Sequence, residues 1–196
     1  TVVDADDIVD EMINIAKQKT QELGKVKDFN ESELHELYET IGLGALKFFL
    51  LRVDPKKRMV FNPEESIDFH GFTGPFVQYT YARIKSVLRK MTGMNSESSI
   101  VNRQYESLLP LEKNIIVQLE QFPAIIEEAA TFFDPSKIAL YVLNLAKTFN
   151  SFYTEHSIAN AESEDKKYLR SMLAQLTAQS IYTGMYLLGI KVPERM

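Results

Sequence analysis

Residues 71–90 read GFTGPFVQYTYARIKSVLRK, and this stretch decides the fold of the chain. Gly74 and Pro75 are turn-forming residues that close an irregular segment. From Phe76 onward the apolar residues recur every three or four positions, which is the period of an amphipathic helix. They are Val77, Ile84, Val87, Leu88 and Met91. The sequence therefore predicts a helix that begins at about Phe76 and buries this apolar stripe.

The opposite side of this helix carries an aromatic ring, a hydroxyl group and two cations. They belong to Tyr79, Arg83, Ser86 and Lys90, which are spaced for one helix face. The window 76–96 also contains Lys85 and Arg89 and no acidic residue. Cations neutralise phosphates and an aromatic ring stacks on an unpaired base, so this face suits RNA. Basic helix faces are also common as merely solvated surfaces, and the pattern alone favours that alternative.

Two further helices are predicted before residue 71. The first has an acidic start, which suits the positive end of a helix dipole, and continues to Gly24. The second begins after Asn30, where Asn30 and Glu33 form the pattern of a capping box, and continues to about Phe49.

The segment between the second helix and Pro75 predicts a domain boundary. Residues 53–58 form a turn, and the residues after them contain proline and glycine without a helical pattern. We therefore divide the chain into residues 1–74 and residues 75–196. Four signals that open or end helices follow along the second part, which is predicted to be all helical. They are Pro110, Pro123, Asp134 with Pro135, and Ser163.

The helix before the last has the clearest apolar pattern in the second part of the chain. The helix that starts at Pro135 is predicted to bury a stripe at steps of three and four. Its members are Ile138, Tyr141, Val142, Leu145, Phe149 and Phe152. The final helix is predicted from Ser163 to Gly189, with apolar positions that include Leu169, Met172, Leu176 and Met185.

The composition excludes several classes of protein. The 196 residues include no cysteine, which removes disulfide scaffolds, zinc ribbons, iron–sulfur clusters and thiol nucleophiles. A hydrophobic share of 45% with only 8 Gly and 7 Pro excludes disordered and collagen-like chains. No window holds the roughly 18 apolar residues of a membrane span, and the acidic start is unlike a signal peptide. We therefore expect a soluble cytoplasmic protein with no membrane partner.

The sequence contains no motif of a complete enzyme site. Serine-hydrolase, Walker and dinucleotide-binding motifs are absent, and the histidines lack metal-ligand spacing. Those histidines are His35, His70 and His156. Asp6, Asp7 and Asp10 spell D-D-x-x-D, a magnesium–diphosphate signature, but the second acidic motif that such a site needs is missing. We predict no catalytic residue and no metal ligand, and keep a metal–diphosphate enzyme as a minor alternative.

Four segments resemble, in the right order, motifs of class I arginyl-tRNA synthetases. Residues 71–84 are similar to G-x-T-G-P-x-x-Q-Y-x-x-A-R, and residues 42–49 to G-x-G-A-x-K-Y/F-F. Residues 145–153 and residues 187–196 also match. The likeness covers essentially the whole chain. A small departure is Phe72, where many members of the family carry asparagine.

The resemblance implies the C-terminal part of such a synthetase, after its K-M-S-K-S-type lysine loop. That loop and the H-I-G-H signature are missing, so we do not expect this part alone to aminoacylate or to hold a cofactor. The parent enzyme, an arginine–tRNA ligase, would use ATP with magnesium. Residues 1–74 would be the end of its catalytic domain with connecting helices, and residues 75–196 an all-α anticodon-binding bundle. The implied partners are tRNA(Arg) and the N-terminal catalytic half, and DNA is not expected.

The resemblance also implies a set of tRNA-binding residues. By position, Tyr79, Tyr153 and Met196 resemble residues that lie near unstacked anticodon bases, and Arg83 resembles a phosphate or base-edge contact. Lys90 joins them from the basic helix face. This agreement makes anticodon recognition the favoured function. A packing role for Tyr153 stays open, as does the alternative of a helical protein-interaction module with no RNA role.

Overall fold

The computed structural model describes residues 4–22, 24, 29–91 and 107–196. Within these ranges it contains seven helices and no strand, so the predicted all-α fold class is confirmed. The helices are α1 (Ala5–Glu22), α2 (Glu31–Leu51), α3 (Pro63–Ser66), α4 (Gly74–Met91), α5 (Pro110–Phe132), α6 (Ser136–Glu155) and α7 (Glu164–Leu187). Residues 1–3 and the end of the basic window, residues 92–96, lie outside the described residues.

The helices α1 and α2 share one apolar cluster with Ile67, the residue that follows α3, and Met12 of α1 and Ile41 of α2 are fully buried in it. The predicted capping box of α2 is confirmed. The Asn30 side chain accepts a hydrogen bond from the Glu33 N–H at 2.9 Å, and the Glu33 carboxylate accepts one from the Asn30 N–H at 2.9 Å. At Gly42 a Cβ atom would lie 2.9 Å from the Met12 carbonyl oxygen, so the contact between α1 and α2 requires glycine.

The segment between α2 and α4 is mostly irregular, as predicted. Its turn is closed by a hydrogen bond from the Lys57 N–H to the Asp54 carbonyl at 2.8 Å. The short helix α3 was not predicted. It forms because Asn62 caps it and Pro63 stands at its first position, where a missing N–H costs nothing. The predicted boundary at residue 74 coincides with the start of α4, and the division into two domains stays a prediction.

The helices α4 to α7 form the larger bundle, with α6 packed against its three partners. The predicted apolar stripe of α6 is buried along its whole length, and Leu145, Phe149 and Phe152 have no exposed surface. At Gly184 of α7 a Cβ atom would collide with Val142 of α6. The interior of the bundle is therefore organised around α6.

One detail of the helix predictions was wrong. Pro123 does not open or end a helix but lies inside α5. Proline has no N–H to donate to the Leu119 carbonyl. The helix α5 nevertheless continues, because Phe122 before the proline and Ile125 after it both pack against the core. Of the apolar positions named for α7, Met185 is buried, whereas Met172 and Leu176 are exposed. This helix therefore carries apolar residues on more than one side.

A buried ion cluster joins α5 to α7, and no local sequence pattern indicates it. The Glu112 carboxylate accepts hydrogen bonds from Lys166 Nζ at 2.7 Å, Arg170 Nε at 2.9 Å and the Leu109 N–H at 2.9 Å. Glu112, Lys166 and Arg170 are all buried. Burial alone would raise the pKa of Glu112, but the hydrogen bonds from Lys166, the Leu109 N–H and Arg170 outweigh it and hold the pKa below its ordinary value.

Candidate nucleic-acid interface

A pocket of about 290 Å³ opens between α4, α6 and the C-terminal tail, residues 188–196. All five residues predicted to bind tRNA line it, namely Tyr79, Arg83, Lys90, Tyr153 and Met196. The structure thus brings together side chains from positions more than a hundred residues apart in sequence. Their role in binding stays a prediction, but their common location is a property of the fold.

The centre of the pocket is a guanidinium group that contacts two aromatic rings. The Cζ atom of Arg83 lies 4.9 Å from the ring centre of Tyr79 and 5.6 Å from that of Tyr153, within the range of cation–π contacts. Tyr153 also lies nearly parallel to the Phe149 ring, with centres 6.3 Å apart, and keeps 37% of its surface exposed. Tyr153 therefore packs on the core and still leaves part of its ring exposed to a ligand.

The polar groups of the pocket are mainly cationic. Its lining includes the guanidinium groups of Arg83, Arg89 and Arg195 and the ammonium group of Lys90, and no acidic residue among the described residues lines it. Arg89 and Arg195 were not predicted as site residues. Arg89 stands in the acid-free window, and that signal was available; Arg195 comes from the tail, and no local pattern marked it. A locally positive pocket on a chain of net charge −5 favours an anionic ligand.

Two carboxylates near the pocket form ion pairs, one with Lys85 beside the pocket and one with Arg195 in its lining. Glu194 accepts a hydrogen bond from Lys85 at 2.9 Å, and the Arg89 side chain donates to the Glu194 carbonyl at 3.1 Å. Arg195 forms an ion pair with Glu33 of α2 at 3.0 Å. These contacts fasten the tail to α4 and to α2, so the positions of Arg195 and Met196 are set by both helices.

Gln78 is the buried anchor of the tail. Its Nε2 atom donates to the Thr40 carbonyl of α2 at 3.0 Å and to the Lys191 carbonyl at 2.8 Å, and the side chain is fully buried. At Gly44 of α2 a Cβ atom would collide with this amide group. The glutamine in the motif that the sequence analysis quoted therefore positions the tail, while its neighbour Tyr79 lines the pocket.

Phe72, the departure from the resemblance, lies outside this pocket. Its ring is 58% exposed, and Lys147 Nζ of α6 lies 3.1 Å from the ring centre. Its main-chain carbonyl accepts a hydrogen bond from the Arg52 side chain. The contact of this side chain with α6 is thus a cation–π contact.

The other candidate sites of the sequence are dispersed. Asp6, Asp7 and Asp10 are exposed on α1. Across residues 4–22, 24, 29–91 and 107–196, no three His, Asp or Glu side chains are grouped closely enough to hold a metal ion. In the same ranges, no helix has the length and hydropathy needed to cross a membrane.

The helical bundle and its cationic, aromatic pocket have the features of a module that binds single-stranded RNA. Residues 77–196 match the family model described as "DALR anticodon binding domain". This match covers more than half of the sequence, and the chain belongs to the DALR anticodon binding domain family.

Similar proteins are arginine–tRNA ligases, so the resemblance to class I arginyl-tRNA synthetases is confirmed. The chain is 50% identical to "Arginine--tRNA ligase" of Flavobacterium psychrophilum over 196 residues, which are 100% of this chain and 32% of that protein. It is 48% identical to the enzyme of that name from Amoebophilus asiaticus, covering 100% and 33%. The solved "Thermus thermophilus arginyl-tRNA synthetase" superposes with a TM-score of 0.85 at 29% identity, covering 100% and 32%. The chain spans about a third of the length of these relatives.

Proposed function

We propose that this chain is the tRNA-recognition part of an arginine–tRNA ligase and that its pocket takes up unstacked anticodon bases of tRNA(Arg). The observation that supports this most is the convergence of Tyr79, Arg83, Lys90, Tyr153 and Met196 on one pocket. In this proposal the whole enzyme acts in the cytoplasm and attaches arginine to its tRNA. The N-terminal catalytic half uses ATP with magnesium, and the described residues anchor the RNA.

The pocket offers the two kinds of contact that a single-stranded nucleotide needs. Lys90 and Arg89 lie exposed at its edge, where they neutralise phosphates and release counterions. The exposed part of Tyr153 offers a surface on which a base can stack. Arg83 has only donor groups, so it hydrogen-bonds acceptor atoms of a base edge or a phosphate.

The test is a titration of the chain with an arginine tRNA transcript, an anticodon-swapped transcript and an unrelated tRNA at about 50 and 200 mM salt. We expect a preference for the arginine anticodon and an affinity that falls as salt rises. Tyr153→Ala removes a stacking ring worth about 1–3 kcal/mol, so we expect roughly 5- to 150-fold weaker binding. Tyr186→Ala, which removes an exposed tyrosine of α7 outside the pocket, is the matched control.

A second pair of variants separates charge from stacking. Lys90→Ala removes one phosphate contact and lowers the salt slope by about 1, and Lys113→Ala removes an exposed cation of α5 and leaves the slope unchanged. Equal affinity for all three RNAs, together with wild-type binding by a stably folded Tyr153→Ala variant, would refute the proposed function.

A further inference from the structure

We propose that Asn150 is a positioning residue for tRNA recognition, because its side-chain amide holds the Arg83 guanidinium between the rings of Tyr79 and Tyr153. Asn150 lies on α6 and does not line the pocket. It acts on the ligand only through Arg83. This inference rests on the proposed function and names how one residue of the pocket is oriented before the RNA arrives.

The direction of the Asn150 amide follows from its hydrogen bonds. Thr80 Oγ1 donates its proton to the Phe76 carbonyl at 2.9 Å, so toward Asn150 this hydroxyl can only accept. Asn150 Nδ2 donates to it at 2.7 Å. The carbonyl oxygen of the same amide must then face the other way, where it accepts from Arg83 Nη1. Because arginine has no acceptor, only this orientation satisfies both ends of the amide.

Thr80 gives this arrangement a rigid base. It is fully buried in α4, and its hydroxyl bonds the helix backbone four residues earlier. Arg83 stands on the same helix, one turn further on. The amide of Asn150 therefore joins a fixed point of α4 to the guanidinium of Arg83 and sets where that group lies relative to the two rings.

A neutral amide suits this role better than a carboxylate. A carboxylate would hold the guanidinium more strongly, but it would also neutralise the charge that attracts RNA. Asn150 uses one N–H of Arg83 and leaves the other donors and the full positive charge for the ligand. An ordered Arg83 also spares the binding reaction the entropy cost of fixing a long side chain.

The test compares the wild type first with two variants of Asn150 and one control. Asn150→Leu keeps the approximate volume and removes both hydrogen bonds, and Asn150→Asp restores an acceptor for Arg83. Asn144→Leu is the matched control, since Asn144 is an exposed asparagine of the same helix. The first measurement is made without RNA: the nitrogen NMR signals of the Arg83 guanidinium, assigned with Arg83→Lys, report whether rotation about its Nε–Cζ bond is hindered.

We expect hindered rotation in the wild type, in Asn150→Asp and in Asn144→Leu, and free rotation in Asn150→Leu. Affinity for the arginine tRNA should fall about three- to tenfold in Asn150→Leu, with the anticodon-swapped tRNA unaffected, because one long side chain must be ordered on binding. The double variant Arg83→Ala with Asn150→Leu should bind no more weakly than Arg83→Ala alone. If Asn150→Leu does not fold, Asn150→Ala serves in its place.

Three results would overturn the proposal. The first is hindered rotation of Arg83 that survives loss of the amide. The second is an Asn150→Leu variant in which the Arg83 guanidinium rotates freely but the tRNA affinity is that of the wild type. If Tyr153→Ala still weakens binding in that case, the proposed function is unaffected. The third is a wild-type chain without anticodon preference. In that case the hydrogen bond between Asn150 and Arg83 has no role in tRNA recognition, and the proposed function fails as well.

Discussion

Replacing Glu112 by glutamine tests the buried ion cluster between α5 and α7. Glu112 has no exposed side-chain surface, and the side chains of Lys166 and Arg170 are 4% and 2% exposed. The substitution keeps the shape of the side chain and removes its negative charge. Lys166 then loses its carboxylate partner at 2.7 Å. Arg170 keeps the carboxylate of Glu162 at 2.6 Å, whose side chain is half exposed, and the neutral carbonyl of Ser157 at 2.8 Å.

The size of the effect follows from the cost of leaving a charge buried without its partner. Removal of one member of a buried ion pair costs about 3–5 kcal/mol, because the remaining ion cannot regain its hydration. The glutamine amide also places an NH2 group next to Lys166 or Arg170, and neither of these cations can accept its hydrogen bond. We therefore expect the free energy of unfolding of Glu112→Gln to be about 3–5 kcal/mol lower than that of the wild type.

Urea unfolding followed by far-UV circular dichroism measures this difference. The matched control is Glu164→Gln on α7, where the carboxylate is 77% exposed and pairs with Lys167 at 3.4 Å. An exposed pair of this kind contributes about 0–1 kcal/mol. A Glu112→Gln variant that is no less stable than Glu164→Gln, at an unchanged urea dependence, would refute the argument that the cluster is buried and mutually dependent.

Three further predictions concern pH and packing. The pKa of Glu112 is lowered in the folded chain, so the stabilisation by this carboxylate is complete above its ordinary pKa of 4.5 and is lost as the pH falls through its folded-state pKa. In melting curves between about pH 6 and 3, the wild type should therefore lose more stability than Glu112→Gln. Burial raises the pKa of Tyr141 to about 12, so stability that is intact below pH 10 should fall as pH rises toward 12, and Tyr141→Phe should lack this step in alkaline melting curves. Gly44→Ala should lower the free energy of unfolding by about 1–3 kcal/mol, because its Cβ would displace the Gln78 amide, and an unchanged melting temperature would contradict this packing.

Much of the fold was predictable because helices are specified locally. The capping box at Asn30, the cap at Ser163 and the buried stripe of α6 depend on residues within a few turns of one another, and the structure has all three. The prediction at Pro123 failed because packing of its neighbours on the core outweighed a local helix-breaking signal. The sequence did not assign the buried face of α7, since the weak amphipathicity of this helix allows more than one, and only the fit against α6 selects between them.

The sequence by itself determined the long helices, the cationic and aromatic face of α4 and, through the resemblance, four of the residues that meet in the pocket. Those features depend on residue spacing, which is local and periodic. Only the tertiary structure decided how Tyr153 and Met196 reach α4, that Gln78 holds the tail, and that Asn150 orients Arg83. These contacts join residues 67 or more positions apart, and such pairs are selected by the packing of whole helices, which no local pattern records.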